Sequence, residues 1–465
     1  MASVDTCEVL IVGGGKAGKT LAADLARAGR RVMLVERGMV GGTCINVGCI
    51  PTKALVKSAK VAALVARAAD FGIRADNWRT DMPAVLAHKR AVVEGMVALN
   101  WDNLHGSLGD HFILGEARFV AARTVEVRPA SGGPVRRITG DKLFINLGAE
   151  PAIPSLPGLV EAQPLTSRSA LELDRLPDHL VIMGGGYIGV ELGQAFRRFG
   201  SRVTIIQRAP HLLPAEDTDI SEAIEAIFRE DGIALALSSE AIRVDGRSGD
   251  RVRLSVRSLE GERTIEGSDL LVAVGRVPMT RDIGLQEAGV EIDAHGFIVV
   301  NDRLETTAPN TWALADCAGS PQQTHAALDD YRIVKANVFA GGSRSTSDRL
   351  IPHTIFMDPE LGRVGLTERE ARSKGLDIRV ATVPASVVPR ARTLAETRGM
   401  LKAVIEARSS QILGFAMLGA EAGEVTAVVQ TAMRGQLPFT ALRDAVIAHP
   451  TMAEGLNYLF GAPMR

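Results

Sequence analysis

One segment of this chain occurs twice. Residues 10–37 read LIVGGGKAGKTLAADLARAGRRVMLVER, and residues 181–208 read VIMGGGYIGVELGQAFRRFGSRVTIIQR. In both copies an apolar strand leads into a GxGxxG turn, an amphipathic helix, a glycine and a second strand. Glycines in such a turn let the backbone bend tightly and bring a pyrophosphate to the helix N-terminus. Because each motif has this strand–turn–helix context, the repeat predicts two Rossmann-like units; the alternative is two glycine-rich turns in an unrelated α/β sheet.

The last residue of the second strand predicts which dinucleotide each copy binds. In the first copy it is Glu36, whose carboxylate would accept hydrogen bonds from ribose hydroxyls and repel a 2′-phosphate, as suits FAD or NAD. In the second copy it is Gln207, followed by Arg208, which favours NADPH, with NADH or a merely solvated Arg208 as the alternative. Two such sites predict electron transfer between a tightly bound flavin and a diffusible nicotinamide. The motif glycines are Gly13, Gly15 and Gly18 in the first copy and Gly184, Gly186 and Gly189 in the second.

Composition excludes several other classes of protein. The chain has 53 lysines and arginines against 54 aspartates and glutamates, so no basic surface favours a nucleic-acid or anionic-membrane partner. The N-terminus lacks the pattern of a signal peptide, and no apolar run approaches the roughly 18–20 residues of a membrane span. Four cysteines in 465 residues do not form a secreted disulfide framework. We therefore expect a cytoplasmic protein.

Two of the four cysteines lie in one short stretch, GGTCINVGCIPTK, residues 41–53. In a regular helix the axial rise between Cys44 and Cys49 would be about 7.5 Å, beyond the roughly 7 Å Cα limit for a disulfide. A bond between them needs a distorted segment, for which Gly48 and Pro51 provide local reasons. Such a bond would be strained and reducible, as suits a redox dithiol better than a structural disulfide.

A metal half-site and a pair of inert buried cysteines are the other interpretations of this stretch. A zinc site requires about four ligands, whereas Cys7 and Cys317 are isolated and no histidine lies within the stretch. We therefore predict no metal site.

The stretch resembles the redox signature of the class I pyridine nucleotide–disulfide oxidoreductases, which include dihydrolipoamide dehydrogenase, glutathione reductase and mercuric reductase. The resemblance covers essentially the whole chain and implies an α/β fold with two Rossmann-like domains and a C-terminal α+β dimerisation domain. The implied boundaries are an FAD-binding domain at 1–150 completed by 276–345, an NAD(P)H-binding domain at 151–275 and a dimerisation domain at 346–465.

The resemblance also implies roles for individual residues. Cys49 would lie against the flavin ring, and Cys44 would be the outer thiol that meets the substrate. Lys53 would lie near the flavin N5 and pair with Glu191. Tyr187 would be a gate over the flavin that moves away as the nicotinamide enters, unless it only packs at the start of a helix.

Further cofactor contacts follow from the same resemblance. Asp316, in TWALADCAG, would bind the ribityl chain of FAD, and Ala315 stands where the family usually has glycine. Cys317 is expected to be a buried bystander. The remaining residues expected to contact a cofactor are Gly42, Thr43, Ala117 and Gly275.

The stretch AHPTMAEGLN contains His449 and, five residues on, Glu454. A lone histidine is more often structural, but a carboxylate can hold an imidazole in one tautomer and raise its basicity. Thiol–disulfide exchange needs both a base and an acid. The resemblance implies that this pair serves the partner subunit of a homodimer whose active site is shared.

Departures from the family pattern narrow the choice of possible substrates. No cysteine follows Cys317 and a histidine stands at 449, so typical mercuric reduction is not expected. Residues 384–406, 328–333 and 13–22 most resemble a bacterial branch that contains the reactive-chlorine-resistance flavoprotein, implicated in copper(II) reduction. Arg390 and Arg392 would either hold an anionic substrate or be solvated charges.

The sequence thus predicts an enzyme that passes electrons from NAD(P)H through FAD and the Cys44–Cys49 dithiol to a small-molecule disulfide, a thiol-reactive oxidant or a metal ion. One alternative is dihydrolipoamide dehydrogenase running towards NAD+, against which Gln207 argues mildly. Another is a slow redox sensor or interaction protein, against which the intact acid–base pair argues.

Overall fold

A computed structural model describes residues 4–347 and 349–465. The chain forms two compact units. The first comprises Met1–Ala54, Ala87–Ala152 and Arg276–Arg349, and the second comprises Leu55–Leu86, Ile153–Gly275 and Leu350–Arg465. The domain boundaries expected at residues 150, 275 and 345 stay a prediction.

The first unit is built on a mostly parallel sheet. Its parallel strands run in the order Phe112–Ala121, Val32–Glu36, Val4–Val12, Arg136–Ile145 and Thr311–Ala313. Thr124–Pro129 pairs antiparallel with its two chain neighbours. The strands are runs of buried β-branched and aliphatic residues, as expected where helices cover both faces. The helices of this unit are Lys16–Arg27, Thr43–Asn46 and Thr324–Phe339, with 3₁₀ turns at Gly109–His111, Gln286–Ala288 and Ala315–Ala318. The helix Cys49–Ala66 begins in this unit and the helix Met82–Leu108 ends in it, whereas the 3₁₀ turn Ala68–Phe71 belongs to the second unit.

The second unit contains another parallel sheet, in the order Asp269–Val272, His179–Met183, Arg202–Ile206 and Ala234–Ala236. Both parallel sheets place the strand that enters the glycine turn at the centre, the strand order of a doubly wound fold. Three antiparallel strands follow, Glu240–Arg247, Arg251–Ser258 and Gly261–Gly267. The helices here are Ser167–Ala170, Tyr187–Phe199 and Thr218–Glu230. Ala149–Pro151 and Arg276–Pro278 pair antiparallel in the first unit.

The C-terminal part of the second unit is an antiparallel sheet flanked by helices. The strand order is His353–Ile355, Glu360–Gly365, Ile412–Gly419, Met400–Glu406 and Ile378–Pro384. The helices are Glu368–Ser373, Pro389–Thr393, Ala422–Arg434, Phe439–Arg443 and Gly455–Gly461, with a 3₁₀ turn at Ala385–Val387. Two Rossmann-like parallel sheets and an α+β C-terminal part confirm the predicted fold class.

One buried cation ties the nucleotide part of the second unit to its C-terminal sheet. Lys402 is only 3% exposed, and its Nζ lies 3.0 Å from Asp217, 2.8 Å from Asp219 and 2.9 Å from Glu368. These three carboxylates outweigh burial and raise the pKa of Lys402. In the part of the chain that the structure describes, no helix combines the length and the apolar character needed to cross a bilayer.

Candidate active site

The glycines of the first motif are required by close backbone packing. A Cβ on Gly13 would lie 2.2 Å from the carbonyl oxygen of Asn146, and one on Gly18 would lie 2.2 Å from the carbonyl oxygen of Gly13. Gly15 caps the helix Lys16–Arg27 without any side-chain hydrogen bond. The first-turn N–H groups of that helix therefore have no side-chain acceptor at the cap, which leaves them available to an anion.

Glu36 has a structural role in addition to its predicted contact with the ribose. One carboxylate oxygen accepts the N–H of Gly14 at 2.7 Å, and the other accepts the N–H groups of Gly38 and Met39 at 2.8 and 2.9 Å. In the second copy, Gln207 Oε1 accepts the N–H of Gly185 at 3.1 Å. The strand-end side chain thus fixes the glycine turn in both copies, which explains why an acceptor is kept at both positions.

The second motif leaves open space at its helix N-terminus. A Cβ on Gly184 would lie 2.4 Å from the carbonyl oxygen of Ala273, and one on Gly189 would lie 2.0 Å from that of Gly184. By contrast, Cβ atoms on Gly186 and Gly275 would have no neighbour within 4 Å. Gly186 caps the helix Tyr187–Phe199 without a side-chain hydrogen bond. Uncapped helix N-termini and close glycine packing fit a dinucleotide at each motif, and the second motif also leaves open space at Gly186.

The redox stretch has the distortion predicted for it. Cys44 lies in the four-residue helix Thr43–Asn46, which ends at Val47 with φ −142°. A Cβ on Gly48 would lie 2.9 Å from the carbonyl oxygen of Thr43. A new helix then starts at Cys49, with Pro51 in its first turn, where the missing N–H is not needed.

Cys44 and Cys49 carry thiols rather than a disulfide here, and they interact with one another. The neighbouring Cys49 is the largest cause that raises the pKa of Cys44, burial adds to it, and Thr324 and Lys19 oppose it. Cys49 Sγ lies 3.6 Å from Thr324 Oγ1. Two adjacent thiols resist double ionisation, so the reduced pair holds one thiolate more readily than two.

Lys19 is a buried cation near this pair that the sequence did not single out. Its side chain is 8% exposed, and its Nζ donates to Asn100 Oδ1. Asn100 is oriented by its own Nδ2, which donates to the carbonyl oxygen of Met96 at 2.6 Å. Burial, then Lys16, lowers the pKa of Lys19 to about 8, while the charge of Cys44 opposes the shift. The only available signal was a lysine among the buried residues of an amphipathic helix.

Asp316 forms an ion pair, with its Oδ2 at 2.7 Å from Arg276 Nη1. Burial raises the pKa of Asp316, and Arg276 opposes the shift. The preceding Ala315 has φ +62°, a left-handed conformation that explains why glycine is usual at this position. Asp316 therefore lies in the first unit with the first glycine motif, with an arginine partner that the sequence did not reveal.

Tyr187 and Glu191 lie on one helix that is anchored to the C-terminal sheet region. Glu191 is buried, and its Oε1 accepts the N–H of Phe356 at 2.8 Å. One turn further, Gln194 exchanges two hydrogen bonds with the backbone of Asp358, at 2.7 and 2.8 Å. These bonds fix the helix whose first residue is Tyr187.

His449 and Glu454 are brought together as the spacing suggested. His449 Nδ1 lies 2.8 Å from Glu454 Oε2. Glu454 is 5% exposed, whereas the imidazole projects into solvent. A buried carboxylate that holds Nδ1 leaves Nε2 for proton exchange with a group outside.

The remaining predicted residues divide between the two units. Cys44, Cys49 and Lys53 belong to the first, as do Thr43 and Ala117, which lies in the strand Phe112–Ala121. Tyr187, Glu191, His449, Glu454 and the exposed Arg208 belong to the second. The pairing of Lys53 with Glu191 stays a prediction. Among the described residues, no group of three or more histidine, cysteine, aspartate and glutamate side chains is arranged to hold a metal ion.

The chain belongs to the pyridine nucleotide-disulphide oxidoreductase family, whose model matches residues 7–330, while the model of the family's dimerisation domain matches residues 351–459. The family resemblance and the enzyme class predicted from the sequence are thereby confirmed. Members of this family are FAD-dependent and use a pyridine nucleotide.

Among its relatives is the probable pyridine nucleotide-disulfide oxidoreductase RclA of Escherichia coli K12, which is 40% identical over 97% of this chain and 98% of its own length. Mercuric reductase of Bacillus cereus is 35% identical over 97% of this chain and 70% of its own length. The Cu(II) complex of the HOCl-induced flavoprotein disulfide reductase RclA from Escherichia coli superposes with a TM-score of 0.89 at 39% identity, covering 98% of this chain and 99% of the other.

Proposed function

We propose that this protein uses NADPH to reduce a small-molecule disulfide, a thiol-reactive oxidant or copper(II) through the Cys44–Cys49 dithiol. The observation that carries the proposal is the broken-helix geometry, which brings two otherwise separated cysteines into mutual contact beside the first glycine motif. FAD, when bound at the first motif, would accept a hydride from NADPH and pass two electrons to the Cys44–Cys49 disulfide.

The remaining chemical steps would be carried out by side chains of the protein itself. The Cys44 thiolate attacks one sulfur of a substrate disulfide, forming a mixed disulfide and releasing the other half as a thiolate. Cys49 then attacks Cys44, which re-forms the intramolecular disulfide and releases the second thiol. His449 of the partner subunit, in the homodimer that we propose, would take the proton from Cys44 and return it to the leaving thiolate.

Copper(II) is a candidate acceptor because a similar solved structure is described as a Cu(II) complex and because two thiolates are soft ligands that suit copper(I). Two cupric ions would take the two electrons that one disulfide would take. Turnover with NADPH, measured against cupric ion, mercuric ion, glutathione disulfide and lipoamide, separates these acceptors. Robust lipoamide-dependent turnover with NAD+ would favour dihydrolipoamide dehydrogenase instead.

The dithiol itself is tested by anaerobic titration with NADPH. A long-wavelength absorption band from a thiolate beside the flavin should appear, persist in Cys44→Ser and vanish in Cys49→Ser. Absence of the band in the native enzyme would contradict the proposed relay.

The preference for NADPH rests on Arg208, which is exposed at the end of the second motif's strand. A guanidinium–phosphate bond contributes about 1.5–3 kcal/mol, so Arg208→Ala should lower kcat/KM for NADPH by roughly 10- to 100-fold and leave kcat/KM for NADH unchanged. Arg202→Ala, at the other end of the same strand, is the matched control. A preference for NADH in the native enzyme would contradict this assignment.

A further inference from the structure

Lys19 is a buried cation whose anionic partner is not a carboxylate. It is 8% exposed, and its ammonium donates to the neutral Oδ1 of Asn100. Among the residues that the structure describes, no carboxylate forms an ion pair with Lys19. An ammonium taken out of water is costly unless an anion compensates for the lost hydration. The acidic group whose charge acts on Lys19 is the thiol of Cys44.

The redox stretch packs at two points against the surroundings of Lys19. A Cβ on Gly42 would lie 2.6 Å from the Cα of Gly15, and the carbonyl oxygen of Gly15 accepts the backbone N–H of Lys19 at 2.9 Å. A Cβ on Gly41 would lie 3.5 Å from Cγ of Asn100, the side chain that accepts from the Lys19 ammonium. All five residues belong to the first unit. Both the backbone and the side chain of Lys19 are thus tied to the start of the redox stretch.

Asn100 fixes the ammonium without neutralising it. Its Nδ2 donates to the carbonyl oxygen of Met96 at 2.6 Å, within the helix Met82–Leu108, which leaves Oδ1 for Lys19. An amide oxygen accepts one of the three ammonium hydrogens and carries no formal charge. The positive charge of Lys19 therefore remains available to an anion nearby.

The charges of Lys19 and Cys44 act on each other. The neighbouring Cys49 is the largest cause that raises the pKa of Cys44, burial adds to the shift, and Thr324 and then Lys19 oppose it. In return, the charge of Cys44 opposes the lowering of the pKa of Lys19. Opposite charges in a buried place each favour the ionised form of the other. A thiolate at Cys44 would therefore retain the proton on Lys19, and the ammonium would favour the thiolate.

We propose that Lys19 is the counter-ion of Cys44 whenever Cys44 is a thiolate. The inference rests on the proposed function, in which Cys44 is the outer thiol that attacks the acceptor. Lys19 is a positioning residue, since it acts through Cys44 and forms no bond with the acceptor. Its consequence is that the outer thiol becomes nucleophilic although burial and the neighbouring Cys49 both disfavour its charge.

The test measures the ionisation of Cys44 in the FAD-bound holoenzyme of Cys49→Ser, which removes the neighbouring thiol and prevents the disulfide. Cys44 is alkylated with iodoacetamide over a range of pH without denaturant, and the modified peptide is quantified by mass spectrometry. The other two cysteines, Cys7 and Cys317, are buried and lie in different peptides. In this background Lys19→Gln should raise the pH of half-maximal alkylation of Cys44 by about 1 or more, because an opposite charge is lost.

Three further variants separate the charge of Lys19 from its packing. Lys19→Gln still offers an N–H donor to Asn100, and Lys19→Arg keeps the charge and should keep the half-maximal pH close to that of the lysine enzyme. Lys16→Gln removes a lysine from the first turn of the same helix, and its charge is not among those that act most on Cys44. This matched control should leave the pH profile unchanged. If Lys19→Gln fails to fold, Lys19→Met, which keeps an unbranched side chain, decides.

The outcomes distinguish the inference from the function on which it rests. If NADPH reduces the flavin of the native enzyme but not the Cys44–Cys49 disulfide, the proposed function is wrong. If the disulfide is reduced but Lys19→Gln and Lys16→Gln give Cys44 the same pH profile, Lys19 is not the counter-ion. Weaker retention of FAD by Lys19→Gln with an unchanged profile of Cys44 would assign Lys19 to the dinucleotide and would also overturn the inference.

Discussion

Gly42 is the point at which the redox stretch touches the first glycine motif, and its replacement by alanine should disrupt FAD binding. A Cβ on Gly42 would lie 2.6 Å from the Cα of Gly15, whereas ordinary contacts of this kind are 3.4–4 Å. The two backbone segments would have to separate by about 1 Å, and such overpacking costs about 1–3 kcal/mol. Gly42 also has φ +78° and ψ −174°, a region that is essentially confined to glycine, at a further cost of about 1–3 kcal/mol.

Gly29 provides the matched control. It has the same φ of +78°, but a Cβ there would meet nothing within 4 Å, so Gly29→Ala carries conformational strain without a clash. If about 2 kcal/mol of the cost of Gly42→Ala destabilises the FAD-bound protein relative to the apoenzyme, the Kd for FAD rises about 30-fold. Reconstitution of the apoenzyme with FAD, followed by flavin fluorescence, measures both constants. A Gly42→Ala variant with a Kd within threefold of that of Gly29→Ala would refute the reasoning.

Three further perturbations test other parts of the structure. The folded-state pKa of Lys19, about 8, lies below the roughly 10.4 of an unfolded lysine, so the unfolded chain holds more protons between these values and stability rises with pH there. The difference in the free energy of unfolding between the native protein and Lys19→Met should therefore shift by about 3 kcal/mol in favour of the native protein from pH 7 to pH 11. A difference that does not change with pH would contradict the lowered pKa of Lys19. Lys402→Met leaves three carboxylates without their cation and should destabilise the fold by about 3–5 kcal/mol in denaturant unfolding, whereas Lys335→Met, in an exposed ion pair with Asp24, should leave the denaturation midpoint nearly unchanged. Glu454→Gln should slow reoxidation of the reduced enzyme by a disulfide by about 10- to 100-fold, because His449 loses the carboxylate that orients it, and equal slowing of flavin reduction by NADPH would show a general defect instead.

Most of the predictions made from the sequence came from local motifs with a fixed spacing. The two GxGxxG turns, the strand-end Glu36 and the Cys44–Cys49 segment are each set by a few neighbouring residues, so their geometry follows from sequence alone. The break at Gly48 is one such case, because a side chain there would meet the carbonyl oxygen of Thr43 only a turn away.

Contacts that form across long sequence separations were not predictable. Arg276 reaches Asp316, Lys19 reaches Asn100, and His353 meets Tyr187 only because the fold brings separate segments together. A single histidine in IPHTIF has no spacing partner, so nothing in the sequence indicated that it stacks on a tyrosine. The left-handed backbone at Ala315 was visible only as a departure from the family's glycine.

The central claim, that NADPH reduces the Cys44–Cys49 disulfide, is tested most directly by counting thiols. The chain has four cysteines, of which Cys7 and Cys317 are buried and lie outside the redox stretch. In denaturant, the oxidised enzyme should show two titratable thiols, and enzyme reduced anaerobically with NADPH should show four. Two thiols both before and after NADPH, with the flavin fully reduced, would contradict the account.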